Sequence, residues 1–117
     1  MKATGLRVGN WIHNNVESTQ ITKNDLIFLL NGDNEHFAEP IQLTNSWFEK
    51  FGFDGSEYFY LHQKMYGIYF RKPYVEAKHY LVKSNGQDSI TTLNYVHQLQ
   101  NLYFALTGEE LTIKGEK

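Results

Sequence analysis

The chain has 117 residues, the size of one domain (1–117) with a core of its own. It holds no cysteine, which excludes a disulfide framework and any Cys-ligated zinc or iron–sulfur site. A net charge of −2 argues against a bulk nucleic-acid binder.

Eight Tyr, eight Phe and two Trp make the chain rich in residues that favour strands and bury large areas. The first ten residues hold no apolar run of the signal-peptide kind. Nothing approaches the ~20 apolar residues of a membrane span. A cytoplasmic protein with no membrane contact is the expectation. Charge is unevenly spread. Asp33 to Glu57 carries six acids and one base, whereas Tyr60 to Gln87 carries five bases and one acid. A local basic zone on an acidic molecule follows.

Leu6 to His13 predicts a first strand, with Val8 and Ile12 on one side and Trp11 on the other. Asn14-Asn15 signals a turn, Val16 to Lys23 a weaker second strand, and Asn24-Asp25 a further turn. The continuous apolar run from Asp25 to Leu30 predicts a third strand. Asn31-Gly32 then turns a hairpin into a return strand over Glu35–Leu43, limited by Pro40. Thr44 follows as a helix N-cap. Leu43 and Phe48 have the spacing of a hydrophobic staple, and Gly52-Phe53 the pattern of a Schellman ending. These signals agree on a short helix near 45–51 whose Trp47, Phe48 and Phe51 plug the sheet.

Asp54-Gly55 is a turn. Tyr58–His62, Met65–Arg71 and Lys78–Lys83 alternate as strands, with a break at Lys72-Pro73. Asn85-Gly86 pairs 78–84 with 87–93. A main helix near 95–107 follows, between an Asn94 N-cap and a Gly108 ending, and Leu111–Lys114 forms a short last strand. The fold class is therefore α+β: an antiparallel β-meander or half-barrel, a short helix, and one main C-terminal helix.

That last helix is unusual. Val96, Leu99, Leu102, Tyr103 and Leu106 make an apolar face. Its back carries His97, Gln100, Asn101 and Phe104, and from Ser89 to Gly108 no Asp, Glu, Lys or Arg occurs. Amides accept burial more readily than charges do. Such a back faces either the protein's own sheet or a partner. His97 and Asn101 are assigned to the fold, and Gln100 and Phe104 to a partner-facing stripe.

Three blocks, L-R-V-G-N-W at 6–11, P-I-Q-L-T with F-G-F at 40–53, and V-H-Q-L-Q-N-L-Y-F-A-L-T-G-E-E-L at 96–111, resemble a family of short uncharacterised bacterial proteins that also occur in prophage-like elements. The resemblance implies a shared plan for the last helix and its glycine. It implies no activity, cofactor or catalytic residue.

Local chemistry is sparse. His13, His36, His62, His79 and His97 show no ligand-pair spacing, and no nucleophile or phosphate-loop motif occurs. Glu109-Glu110 past the last helix suits a solvated loop better than a catalytic pair. No cofactor, metal or catalytic residue is assigned, and the chain is not expected to be an enzyme. The first functional expectation is a protein-interaction module of a bacterial or prophage-type genome, binding an unknown protein partner or a second copy of itself. The alternative is single-stranded nucleic-acid binding by an aromatic-basic sheet face. Tyr58, Tyr60, Tyr66, Tyr69 and Tyr80 would offer the rings, and Lys64, Arg71 and Lys72 the cations.

Overall fold

The computed structural model describes residues 5–14, 16–30, 39–61, 65, 67–84 and 91–114. The chain is α+β. A two-stranded antiparallel hairpin, β1 (Trp11–His13) and β2 (Ser18–Gln20), is followed by helix α1 (Lys23–Leu30) and helix α2 (Asn45–Lys50). A four-stranded antiparallel meander comes next: β3 (Phe59–Tyr60), β4 (Ile68–Arg71), β5 (Tyr80–Ser84) and β6 (Thr91–Leu93). Helix α3 (Val96–Thr107) closes the series. The meander is open and does not close into a barrel.

The N-terminal third departs from the strand-by-strand expectation. Leu6 to Asn10 is a turn rather than part of a strand. Asn10 donates its backbone N–H to Arg7 O at 3.0 Å, and Asn10 Oδ1 accepts from Arg7 N at 2.6 Å. Gly9, with φ of +95°, could not sit in an extended strand. Val8 is consequently exposed while Ile12 is fully buried.

The apolar run expected as a third strand is α1. A short continuous run cannot distinguish a strand from a helix by periodicity; the capping residues decide it. Thr22 N donates to Asp25 Oδ2 at 3.0 Å and Asp25 N to Thr22 Oγ1 at 3.1 Å, a reciprocal capping box. Leu26 N then bonds Thr22 O at 3.0 Å, the first helical turn, so Asn24-Asp25 lies inside the helix and is no turn. The expected hairpin from this run into Glu35–Leu43 falls with it. Residues 31–38 are outside the described residues. Of the rest, Glu39 bridges His13 and Gln42 bridges Tyr95, both antiparallel. The meander exists, but in the middle of the chain.

Helix α2 stands where its signals put it. Thr44 has the extended conformation of an N-cap, although its hydroxyl makes no capping bond. At the other end Gly52 N bonds Glu49 O at 3.0 Å and Phe53 N bonds Phe48 O at 2.9 Å, which is the Schellman pair. Phe48 is fully buried, with ring centroids of Phe59 at 4.7 Å, Tyr80 at 4.9 Å, Phe53 at 5.1 Å and Phe70 at 5.4 Å. It joins the sheet's inner face, formed by Phe59, Phe70, Tyr80, Val82 and Leu93, to Val96, Leu99 and Tyr103 of α3. A smaller cluster of Leu6, Ile12, Ile21 and Leu29 lies under the N-terminal hairpin.

Helix α3 starts one residue later than expected. Its N-cap is Tyr95, and Gln98 Oε1 accepts the N–H groups of Asn94 at 2.7 Å and Tyr95 at 3.0 Å. Asn94 serves instead through its carbonyl, which accepts from Leu43 N at 3.0 Å. Gly108 ends the helix in the left-handed conformation, as expected. Leu106, placed on the apolar face, is half exposed. Residues 111–114 form no strand; Leu111 is buried and Lys114 N bonds Lys50 O at 2.7 Å.

Candidate functional site

The amide back of α3 is turned onto the N-terminal turn. Gln100 is fully buried; its Oε1 accepts from Trp11 N at 2.7 Å and its Nε2 donates to Gly9 O at 3.0 Å. Asn101 Oδ1 accepts from Arg7 Nε at 2.8 Å and Asn10 Nδ2 at 2.9 Å, and its own amide donates to Gly5 O at 2.6 Å. Both amides are thus spent inside the fold, with no charge to desolvate. Asn101 was expected there; Gln100, assigned to a partner-facing stripe, was not. Gln100 lies one turn from Val96 and Tyr103, both buried, so the buried sector of the helix is wider than its apolar stripe alone. Phe104 remains 40% exposed, with the Arg7 guanidinium 4.4 Å from its ring centre. Arg7 also pairs with Glu110 at 2.5 Å.

The sheet register builds a second surface. Tyr60 pairs with Tyr69 and Tyr69 with Lys83; Arg71 pairs with Leu81 and Leu81 with Thr92. Side chains paired across antiparallel strands share a face, and those two apart along a strand share it too. Tyr60, Tyr69, Arg71, Leu81 and Lys83 therefore stand on the face opposite Phe59, Phe70, Tyr80 and Val82. All five are half-buried. Tyr58, just before β3, joins them: its ring meets that of Tyr69 edge-on at 5.5 Å, and the Arg71 guanidinium lies 5.1 Å from its centre.

Of the expected stacking residues, Tyr58, Tyr60 and Tyr69 are brought together with Arg71. Tyr80 is on the other face and fully buried, so it offers no ring to a ligand on this side. Tyr66 and Lys64 lie outside the described residues. Lys83 belongs to the face as a further cation, paired with Tyr69; alternation along 78–83 alone places it opposite Tyr80 and Val82.

At the end of the sheet a cleft of about 370 Å³ opens between the start of α2, the loop before β3 and the loop after β4. Asn45, Glu57, Arg71, Lys72, Tyr74 and Tyr80 line it, with Ser56 and Val75 alongside. Lys72, expected among the sheet-face cations, lies here, its ammonium 5.7 Å from the Tyr80 ring. The Tyr80 hydroxyl donates to Asn45 Oδ1. Burial pushes the Tyr80 phenol up to about 12, so it stays a protonated donor. Glu57, Arg71, Lys72 and Lys83 have no ion pair among the described residues. Tyr74 is 60% exposed at the rim. The sequence marked this region only as a turn and a break at Lys72-Pro73, because a cleft assembled from three loops leaves no local motif.

The histidines do not converge. His36 and His62 lie outside the described residues, and among the described residues no group of three His, Cys, Asp or Glu side chains is placed to hold a metal ion. His97 is half-buried, stacked parallel to Tyr95 at 5.9 Å, with Nδ1 buried and unpartnered; burial lowers its pKa. No described helix is long and apolar enough to cross a membrane.

Compared with known proteins, the chain matches no family model, no curated protein and no solved structure.

Proposed function

We propose that this chain is a non-enzymatic binding module of a bacterial or prophage-type genome whose working surface is the outer sheet face, and that its ligand is single-stranded nucleic acid. One observation carries the reading: the register that sets Tyr58, Tyr60 and Tyr69 beside Arg71 and Lys83 on one face. Bases stack on such rings, and cations between them track the phosphates. Because the molecule as a whole is acidic, attraction is confined to this zone, and binding is steeply salt-dependent. With Arg71 and Lys83 each neutralising one phosphate, the expected slope of log affinity against log salt is about −1.4 for a single strand. A rise from about 50 to 200 mM salt then weakens binding about sevenfold. Fluorescence anisotropy with labelled oligo-dT or oligo-rU of about twelve nucleotides tests this. No binding at low salt sinks the reading.

A protein partner, or a second copy of the chain, is the competing reading. Of the stripe on the helix back, Gln100 is consumed internally and only Phe104, 40% exposed, is left to a partner. Helix α1 supports that reading, since Ile27 is 49% and Leu30 65% exposed. Light scattering of wild type and Leu30→Lys separates the two: a concentration-dependent dimer lost in the variant favours association through α1.

A further inference from the structure

We infer that the cleft at the end of the sheet is a single-nucleotide pocket that selects guanine. The inference rests on reading the adjoining sheet face as a nucleic-acid surface, and names what that surface would read.

The polar groups facing the cleft are complementary to a base with mixed donors and acceptors. Glu57 contributes a carboxylate that only accepts hydrogen bonds, and it has no ion pair among the described residues. Asn45 contributes the opposite group. Its Oδ1 is engaged by the Tyr80 hydroxyl, which leaves the amide N–H₂ to donate. Guanine presents N1–H and N2–H₂ as adjacent donors, with the O6 acceptor next to them. A carboxylate takes the two donors together, while an amide N–H meets O6. Adenine and cytosine each offer one exocyclic amine beside an unprotonated ring nitrogen, which a carboxylate repels. Uracil offers a single N–H between two carbonyls. Of the four bases, only guanine gives Glu57 two hydrogen bonds.

The rest of the cleft suits a nucleotide rather than a free base. Arg71 and Lys72 put two cations at its edge for phosphate. Tyr74, 60% exposed, supplies a ring for the base to stack on. A volume of about 370 Å³ is that of a small-ligand site. Arg71 also reaches the outer face, where its guanidinium lies over Tyr58, so a strand laid on the sheet continues into the cleft.

Titration calorimetry of the full chain with GMP, AMP, CMP and UMP, alongside anisotropy with oligo-dT, tests this. GMP should bind about tenfold or more tighter than the other three. Glu57→Gln should remove that preference and leave oligo-dT binding intact, because Glu57 meets no phosphate. Its exposed position keeps the variant folded, which a thermal melt verifies. Equal affinity for the four nucleotides, or a GMP preference unchanged in Glu57→Gln, overturns the guanine pocket. Oligo-dT binding in that case leaves the sheet-face reading standing. GMP binding lost in Glu57→Gln, with no oligonucleotide bound, keeps the pocket and discards the sheet-face reading. No binding of any kind discards both.

Discussion

Gln100 and Trp11 are joined by a 2.7 Å hydrogen bond from the Trp11 backbone N–H to the Gln100 side chain, across a sequence separation of 89 residues. The same amide returns a bond to Gly9 O, so one buried side chain fixes the N-terminal turn to the last helix. Gln100→Leu keeps the volume and removes both bonds. It should cost about 1–3 kcal/mol, the range for leaving a buried backbone group unpaired: Trp11 N loses its acceptor, while Gly9 O keeps its bond from Gln20 Nε2 at 3.0 Å. Gln100→Lys should cost more, since it buries a charge without a partner. Urea midpoints of the purified monomers measure both. An unchanged midpoint for Gln100→Lys together with lost self-association would return this residue to a partner interface.

Phe48→Ala empties the centre of the main core. The loss should be about 3–5 kcal/mol. The Schellman bond from Phe53 N to Phe48 O is made by backbone and survives the substitution, but the ring contact at 5.1 Å that holds Phe53 against it does not. Hydrogen exchange at the Gly52 and Phe53 amides should therefore speed up along with the fall in urea midpoint. A midpoint equal to wild type would mean that Phe48 does not organise the core.

The contrast between α2 and α1 shows what the sequence made legible. Around α2 three independent local signals, the staple, the cap position and the glycine ending, pointed to the same residues, and the backbone follows them. Around α1 the informative pair was Thr22 and Asp25, a weak-looking T-x-x-D whose reciprocal bonds start a helix. The adjacent apolar run suits either element, and its β-like reading hid the cap. The N-terminal turn is hidden in the sequence for a different reason. Alternation of Leu6, Val8 and Ile12 imitates a strand; Gly9 at positive φ and the Asn10 side chain bonded to Arg7 N turn the chain locally, and Asn101 and Gln100 hold the turn against the last helix. The same holds for the sheet face. Which tyrosines stand together depends on register, and that placed Tyr80 in the core and Lys83 outside it.

Gly55 is a position where side-chain loss of function and loss of fold can be told apart. Its φ is +107°, and a Cβ there would lie 1.7 Å from the Tyr58 carbonyl oxygen. Gly55→Ala must open the loop between the Asp54–Tyr60 bridge residues, at about 1–3 kcal/mol for the backbone strain alone. Gly108→Ala is the comparison. Its new carbon meets nothing within 4 Å, so only the left-handed conformation is penalised, at about 1–2 kcal/mol. Thermal melts rank the two. Gly55→Ala should also weaken oligonucleotide binding by displacing Tyr58, whereas Gly108→Ala should not. Equal binding by both variants would detach Tyr58 from the ligand surface.

His97 gives the fold a pH dependence whose sign follows from its surroundings. Burial lowers its pKa below the ordinary 6.5, and Nδ1 is buried with no acceptor to receive a second proton's bond. In the unfolded chain the imidazole takes up a proton as pH falls through 6.5, while in the folded chain it resists. The unfolded state therefore binds more protons in that window, and stability rises with pH there. The contribution is complete above the unfolded value and declines as pH drops below it. It levels off once pH passes the lowered folded value. Urea midpoints of wild type should accordingly fall between about pH 7 and pH 5. His97→Phe keeps an aromatic ring beside Tyr95 and removes the titrating group, so its midpoints should fall less over the same interval. Parallel curves for the two proteins would place the pH dependence elsewhere and show that His97 protonates as easily folded as unfolded.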